Sequence, residues 1–374
     1  MMERRRIVEL WRQGNASVLV TLVRAEGSSY RQPGARLLIA ASGEYAGTIS
    51  GGCLEAEVVR KAAWMVRNGA VVERYSTMFD DTAEIPFGLG CGGTVDLLLE
   101  PADTPECAAL MAAFEASLAG EGCTVLTWLP QEGRGLARAT LSASRDYSFA
   151  SDRLSEPELV DARAMVLYAD ATAKHDETIY VERIQPPQRL LVLGAGDDAR
   201  PLVSMAALLG WSVIVADGRA QLARRERFPD AERVVILAPD TAALNIAPND
   251  AVVLMTHSYE QDRALLAAVL PLAPRYLGVL GARHRTSLLV SEVAALTGRS
   301  ISECCEHIYA PVGLDLGGDG PEAIALAVIA EAQACCMGKL GNSRRLTVRD
   351  VEEQIAQGGE SRYLRVQCAL DRPQ

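Results

Sequence analysis

The segment from Leu190 to Ala199 constrains this chain more than any other. Leu191-Val192-Leu193 runs into Gly194-Ala195-Gly196-Asp197-Asp198-Ala199, a GxGxxA pattern set between an apolar strand and a helix. Gly194 permits the tight turn, Gly196 lets the backbone approach a pyrophosphate, and Ala199 takes the third glycine's place at the helix–strand contact. Asp217 closes the next apolar run, where an acid can bind a ribose hydroxyl. Strands are expected at Leu190–Leu193, Ser212–Ala216, Arg233–Leu237, Ala251–Thr256 and Tyr276–Leu280, separated by mostly helical stretches. A last helix is expected from Pro321 to about Met337, with Asp319 as its cap. This alternation predicts a Rossmann-like, doubly wound parallel sheet over 190–338, followed by a polar tail, 339–374.

Whether that fold holds a nucleotide is a separate question. Asp197 and Asp198 suit the helix dipole but repel a pyrophosphate placed there. Arg219 favours a 2′-phosphate. The strand ends also carry Thr256-His257-Ser258 and Gly281-Ala282-Arg283-His284-Arg285. One reading is a crevice lined by His257, Arg283 and Arg285. The other is a loop-capping histidine with solvated arginines, in a fold that no longer binds a dinucleotide.

Upstream, strands and helices mix without regular alternation, which predicts an N-terminal α+β domain over 1–183 and an α/β protein overall. A helix is expected near Arg4–Gln13, and strands at Ser17–Val23, Ala35–Ala40, Tyr45–Ile49, Val71–Thr77 and Thr94–Glu100. Pro105–Leu118 reads as a helix capped by Thr104. Short strands are expected from Val125 to about Val181. Residues 184–189, with Pro186-Pro187, form the linker.

The formal net charge is -11, so the chain is a poor general nucleic-acid binder and must hold any anion with a local cluster of donors. Nine cysteines, an odd number in a long chain, argue against a secreted disulfide framework. They carry no zinc-finger spacing. Reduced thiols in a cytoplasmic protein are the expectation. Neither a signal core after Met1 nor an uncharged run long enough for a membrane span is present in this sequence.

Two cysteines sit among glycines. Cys53 follows Gly51-Gly52 and opens an amphipathic stretch, where unpaired N–H groups and the dipole lower a thiol's pKa. Thiolate is the form that ligates soft metals and attacks sulfur. Cys91 lies between Gly90 and Gly92-Gly93, with a backbone open to close approach. Arg31 and Arg36 flank a loop rich in hydroxyls, Ser28, Ser29 and Tyr30. Together these suit a phosphorylated, sulfur-bearing ligand. The alternative is that each cysteine is a small buried hydrophobe. Cys304-Cys305 and Cys335-Cys336 are adjacent pairs, which rarely present both thiols to one ligand, and Cys335-Cys336, on an expected core helix, read as packing residues.

Gly27-Ser28-Ser29-Tyr30-Arg31-Gln32-Pro33-Gly34-Ala35-Arg36, Ile49-Ser50-Gly51-Gly52-Cys53-Leu54-Glu55 and Gly90-Cys91-Gly92-Gly93 resemble the xanthine dehydrogenase accessory family (XdhC/CoxI). So do Gly194-Ala195-Gly196, Leu277 to Arg283, Pro311 to Asp315 and Pro321-Glu322 in the second half. The resemblance implies a molybdenum cofactor chaperone. Such a protein binds the pterin cofactor, protects it during sulfuration by a cysteine desulfurase, and passes it to a molybdenum hydroxylase apoenzyme. It is a carrier and need not turn over. The family's motif cysteines map onto Cys53 and Cys91, with Cys53 the candidate contact to molybdenum, and Arg31 and Arg36 are expected to neutralise the pterin phosphate. Self-association as a homodimer or larger is implied too.

Two other readings stay open on the residues alone. One is an NAD(P)-dependent oxidoreductase using Gly194–Asp217, with His257 as acid/base. The other is an interaction module for the hydroxylase, without cofactor affinity.

Overall fold

The computed structural model describes residues 1–27, 29–52, 54–76, 93–168, 178–237 and 244–341. The first half begins with α1 (Met2–Arg12), β1 (Ala16–Glu26), β2 (Arg36–Ala40), β3 (Tyr45–Gly47), α2 (Glu55–Met65), β4 (Val71–Ser76) and β5 (Thr94–Pro101). The strands form an antiparallel sheet in the order β3-β2-β1-β5-β4. Side chains alternate across a strand, so β1 feeds two cores. Val18, Val20 and Leu22 pack with Val58 and Ala62 of α2. Leu19 faces the opposite way, onto Ile7 and Leu10 of α1 and onto α3 (Pro105–Leu118), through Leu110 and Phe114. Thr104 caps α3 by accepting from the Cys107 amide.

α3 also backs a second antiparallel sheet, made of β6 (Cys123–Trp128), β7 (Ala137–Ser142), β8 (Tyr147–Ala150) and β9 (Ile179–Ile184), in the order β8-β7-β6-β9. The run of strands expected from Val125 to Val181 is interrupted by a helix, α4 (Glu156–Tyr168), which packs Leu159, Ala162 and Val166 against this sheet. Its start signal is Ser155-x-x-Glu158: the Glu158 carboxylate accepts from the Ser155 amide and hydroxyl.

The second half holds β10 (Arg189–Leu193), α5 (Ala199–Leu208), β11 (Ser212–Asp217), β12 (Arg233–Ile236), β13 (Ala251–Leu254), α6 (Tyr259–Val269), β14 (Tyr276–Val279), α7 (Arg283–Thr297), α8 (Ile301–His307) and α9 (Pro321–Cys336). All five strands are parallel, in the order β12-β11-β10-β13-β14, which is the Rossmann order. Leu190 and Val192 face α5 and α9, while Leu191 and Leu193 face α6 and α7. Cys336 lies in the first of these cores and Cys304 in the second. Two details differ from expectation. The β11–β12 connection contains only a 3-10 turn at Arg225–Arg227, followed by Pro229. Gly320, not Asp319, stands at the N-cap of α9, and Pro321 is its first residue.

Among the described residues, no helix is long and apolar enough to cross a membrane.

Candidate functional site

The registers of the first sheet bring the motif loops to one end. β1 ends at Glu26, which faces Thr94 at the start of β5, and Thr94 also faces Ser76 at the end of β4. Arg36, at the start of β2, faces Thr21 of β1 and lies one register step from the Leu37–Gly47 pair that closes β3. The loop after β1, the loop after β3 and the segment joining β4 to β5 therefore all leave from the same end of the sheet. These carry the Gly27–Arg36, Ile49–Glu55 and Gly90–Gly93 motifs. Ser28, Cys53, Cys91 and Gly92 lie outside the described residues.

Glu55 organises the second loop. Its side chain is buried, and its carboxylate accepts from the amides of Ile49, Ser50 and Gly52, each at 2.9 Å, and from the hydroxyls of Thr48 and Ser50. Burial disfavours the charge, but the hydrogen bonds from Ser50 and Thr48 outweigh it and hold this carboxyl down at about 2. Helix α2 begins at Glu55, after an N-cap at Leu54. Its start is thus two residues later than Cys53, and its positive end already meets a carboxylate.

Glu3 joins the loops. One of its oxygens accepts from the Thr48 amide at 2.7 Å, and the other from Arg31 Nη2 at 2.6 Å. Ser29 Oγ donates to the Arg31 carbonyl, which closes the turn around Tyr30. Gly51 has φ +85°, and a Cβ there would fall 2.6 Å from Tyr30 Cε1, so only glycine seats the ring.

Arg36 differs from expectation. It is buried, pairs in bidentate fashion with Glu182 of β9, and donates to the Gly34 carbonyl at 2.9 Å. Its guanidinium also stacks over Phe114, 4.9 Å from the ring centroid. Burial opposes its charge, but Glu182 outweighs it and raises the Arg36 pKa. This arginine ties the first sheet to the second, with its guanidinium taken up by Glu182, Gly34 and Phe114. Arg31, paired with Glu3, stays partly exposed.

In the Rossmann half, the glycine loop is filled by its own side chains. A Cβ on Gly196 would lie 2.3 Å from Asp198 Oδ1 and 3.5 Å from His257 Nε2. Asp198 Oδ2 meets His257 Nε2 at 2.8 Å, so this pair lies where a pyrophosphate would approach Gly196. Ala199 is buried at the start of α5, against the sheet.

Asp217 also departs from the expected ribose role. It is buried, accepts from the Ala195 amide at 2.7 Å, and takes both the backbone and guanidinium of Arg219. Burial disfavours its charge, but the hydrogen bonds from Arg219 and Ala195 prevail and keep its carboxyl below the usual range. Its oxygens therefore hold the loop instead of presenting to a sugar.

His257 and Arg285 do share a cavity of about 350 Å³, with Met255, Leu280, Gly281, Pro311 and Val312. Arg285 is paired with the buried Asp262 at 2.7 Å. Arg283 lies outside that lining, exposed at the first position of α7. No group of three or more His, Cys, Asp or Glu side chains able to hold a metal occurs among the described residues.

The roles of Glu55, Glu3 and Glu182 emerge only in the fold. The only local signal for Glu55 was an acid in the first turn of a helix after Gly-Gly. The partnerships of Glu3 and Glu182 are long-range and leave no such mark.

Comparisons with known proteins agree with this architecture. Residues 10–76 match the model of the XdhC and CoxI family, and residues 190–332 match that of the XdhC Rossmann domain. The chain is 29% identical over 324 residues to a Bacillus subtilis protein described as a probable xanthine dehydrogenase subunit, covering 84% of this chain and 92% of that one. It is 27% identical over 328 residues to the molybdenum cofactor insertion chaperone PaoD of Escherichia coli, covering 87% and 85%. A crystal structure described as a xanthine dehydrogenase from Bacillus halodurans superposes with a TM-score of 0.75 at 27% identity, over 93% of this chain and 99% of that one. The chain belongs to the XdhC/CoxI family.

Proposed function

We propose that this protein is an accessory factor in the maturation of a xanthine dehydrogenase-type molybdenum hydroxylase. It binds molybdenum cofactor as cargo at the loop end of the first sheet, protects it while a cysteine desulfurase supplies sulfur, and delivers it to the hydroxylase apoenzyme. The observation that supports this reading is that β1, β3 and β4 end, and β5 begins, at one end of the first sheet, so the three motif-bearing segments depart from that end. The PaoD relative, named as an insertion chaperone, supports the same role. Cys53 and Cys91 belong to these loops and are proposed to contact the molybdenum or its dithiolene sulfurs. Ser28, Ser29, Gly51, Gly52, Gly92 and Gly93 form the backbone and hydroxyl cradle. Arg31 supplies positive charge toward the pterin phosphate. Self-association and a cytoplasmic site of action are part of the proposal.

The test is anaerobic titration of the full chain with molybdenum cofactor, comparing wild type with Cys53→Ala and Cys91→Ala. Wild type is expected to bind, with at least one variant weakened. Equal binding by all three overturns the thiolate role. No binding by wild type overturns the carrier role.

A further inference from the structure

Tyr30 is an aromatic ring held in place while left open to solvent. It is 72% exposed, the highest exposure of any aromatic side chain among the described residues. Leaving that much of a ring in water forgoes the stabilisation that covering it would give. It nevertheless has neighbours on both sides. The backbone on its C-terminal side is closed by the Ser29–Arg31 turn, and Arg31 is anchored on Glu3. The Cδ1–Cε1–Cζ side of the ring lies against Gly51, within 3.2 Å of where a Cβ would be. Gly51 is itself fixed, because its amide donates to Thr48 Oγ1 at 3.1 Å and the loop is gathered on the Glu55 carboxylate. No hydrogen bond of the Tyr30 hydroxyl is formed among the described residues, so the ring and not the phenol is what the loops position.

An exposed aromatic ring seated against Gly51, between the first two motif loops, suits one kind of ligand group well, a planar heterocycle that stacks on it. We propose that Tyr30 is the stacking platform for the pterin ring of the cargo, and that Gly51 lacks a side chain so that this platform can sit beside the second loop. This rests on the reading of the loop end as the cofactor site. It assigns the site a part that neither the cysteines nor Arg31 provides, since they address sulfur, metal and phosphate, while Tyr30 addresses the ring. A ligand with the phosphate and without the fused ring would bind with no contribution from Tyr30.

The test uses the full chain as wild type, Tyr30→Phe and Tyr30→Ala. The probes are molybdopterin, titrated anaerobically, and an oxidised fluorescent pterin whose emission is quenched on stacking. Because the side chain is exposed and makes no hydrogen bond among the described residues, both variants are expected to keep the wild-type melting temperature. Wild type and Tyr30→Phe should bind alike and quench the fluorescent pterin, and Tyr30→Ala should bind about tenfold more weakly with the quenching lost. If all three bind and quench alike, the platform is overturned while the cofactor site stands. If Tyr30→Ala keeps pterin affinity and loses only association with the hydroxylase, Tyr30 is a docking residue and the proposal is overturned. If wild type binds neither pterin, the site and the platform fall together.

Discussion

Arg138 and Glu100 form a bidentate ion pair, at 3.0 and 2.9 Å, with both side chains sealed from solvent. Arg138 belongs to β7 and Glu100 to β5, so the pair fastens one N-terminal sheet to the other. Arg138 also donates to Thr127 and to the Glu106 carbonyl, so four of its five N–H groups are engaged. Removing one partner leaves a buried charge uncompensated. Glu100→Ala is therefore expected to destabilise the chain by about 3–5 kcal/mol, read as a shift in the urea midpoint. A smaller loss in Glu100→Ala than in an exposed control such as Glu115→Ala would refute this account.

Arg36 and Arg31 are expected to separate stability from ligand binding. Arg36→Ala removes a buried guanidinium, leaves the partly buried Glu182 carboxylate without its partner and should cost about 3 kcal/mol of stability. Arg31→Ala breaks a partly exposed pair with Glu3 and should cost about 0–1 kcal/mol while weakening binding of the phosphorylated cofactor. Thermal melts and anaerobic titration on the same samples read both. Loss of cofactor affinity in Arg31→Ala with no change of stability is the expected signature.

Glu55 gives the loop a defined pH dependence. Its carboxyl titrates at about 2 in the folded chain, below its ordinary value of 4.5. A depressed carboxylate contributes stability that is complete above the unfolded value and is lost as pH falls toward the folded one. Amide exchange at Ile49, Ser50 and Gly52 should therefore be insensitive to this group above about pH 5, after correction for intrinsic rates, and lose protection between about 4.5 and 2. Glu55→Gln replaces an acceptor oxygen with a donor facing N–H and O–H groups, and should remove about 1–3 kcal/mol of loop stability at neutral pH. Unchanged protection in the glutamine variant would count against the carboxylate as organiser.

Asp198 and His257 bear on nucleotide binding. Their pair covers Gly196, and Asp217 is engaged by Ala195 and Arg219. NADH and NADPH are expected to bind wild type no more tightly than about millimolar, and Asp198→Ser is expected to tighten them about tenfold by removing the carboxylate from the phosphate position. Calorimetric titration checks both. Micromolar binding by wild type would show that the pair opens readily and would restore the oxidoreductase reading.

Much of the fold was legible as pattern. The apolar runs from Leu190 to Tyr276, each ended by a turn, mark the parallel strands, and Gly194-Ala195-Gly196 marks the first crossover. Thr104-Pro105 marks the start of α3. The helix α4 was harder to see among short strands, because Pro157 and the charges around it obscure its apolar spacing, although Ser155 and Glu158 mark its cap.

The site was legible in residue type and not in partnership. Glycines, cysteines and arginines near Gly27–Arg36 and Gly51–Cys53 point to a ligand by their local chemistry. Nothing local says that Arg36 belongs to Glu182, 146 residues away, or that His257 reaches Asp198, 59 residues back. Periodicity and turn chemistry act over a few neighbouring residues, and the sequence by itself determines structure on that scale: the strands, the helices, the crossover and the motif loops. Charge pairing is decided when the sheets close and a buried ion must find whichever opposite charge packing brings near. Only the tertiary structure could therefore turn Arg36 inward, leave Arg31 and Tyr30 at the loop end, and set Asp198 and His257 together over Gly196.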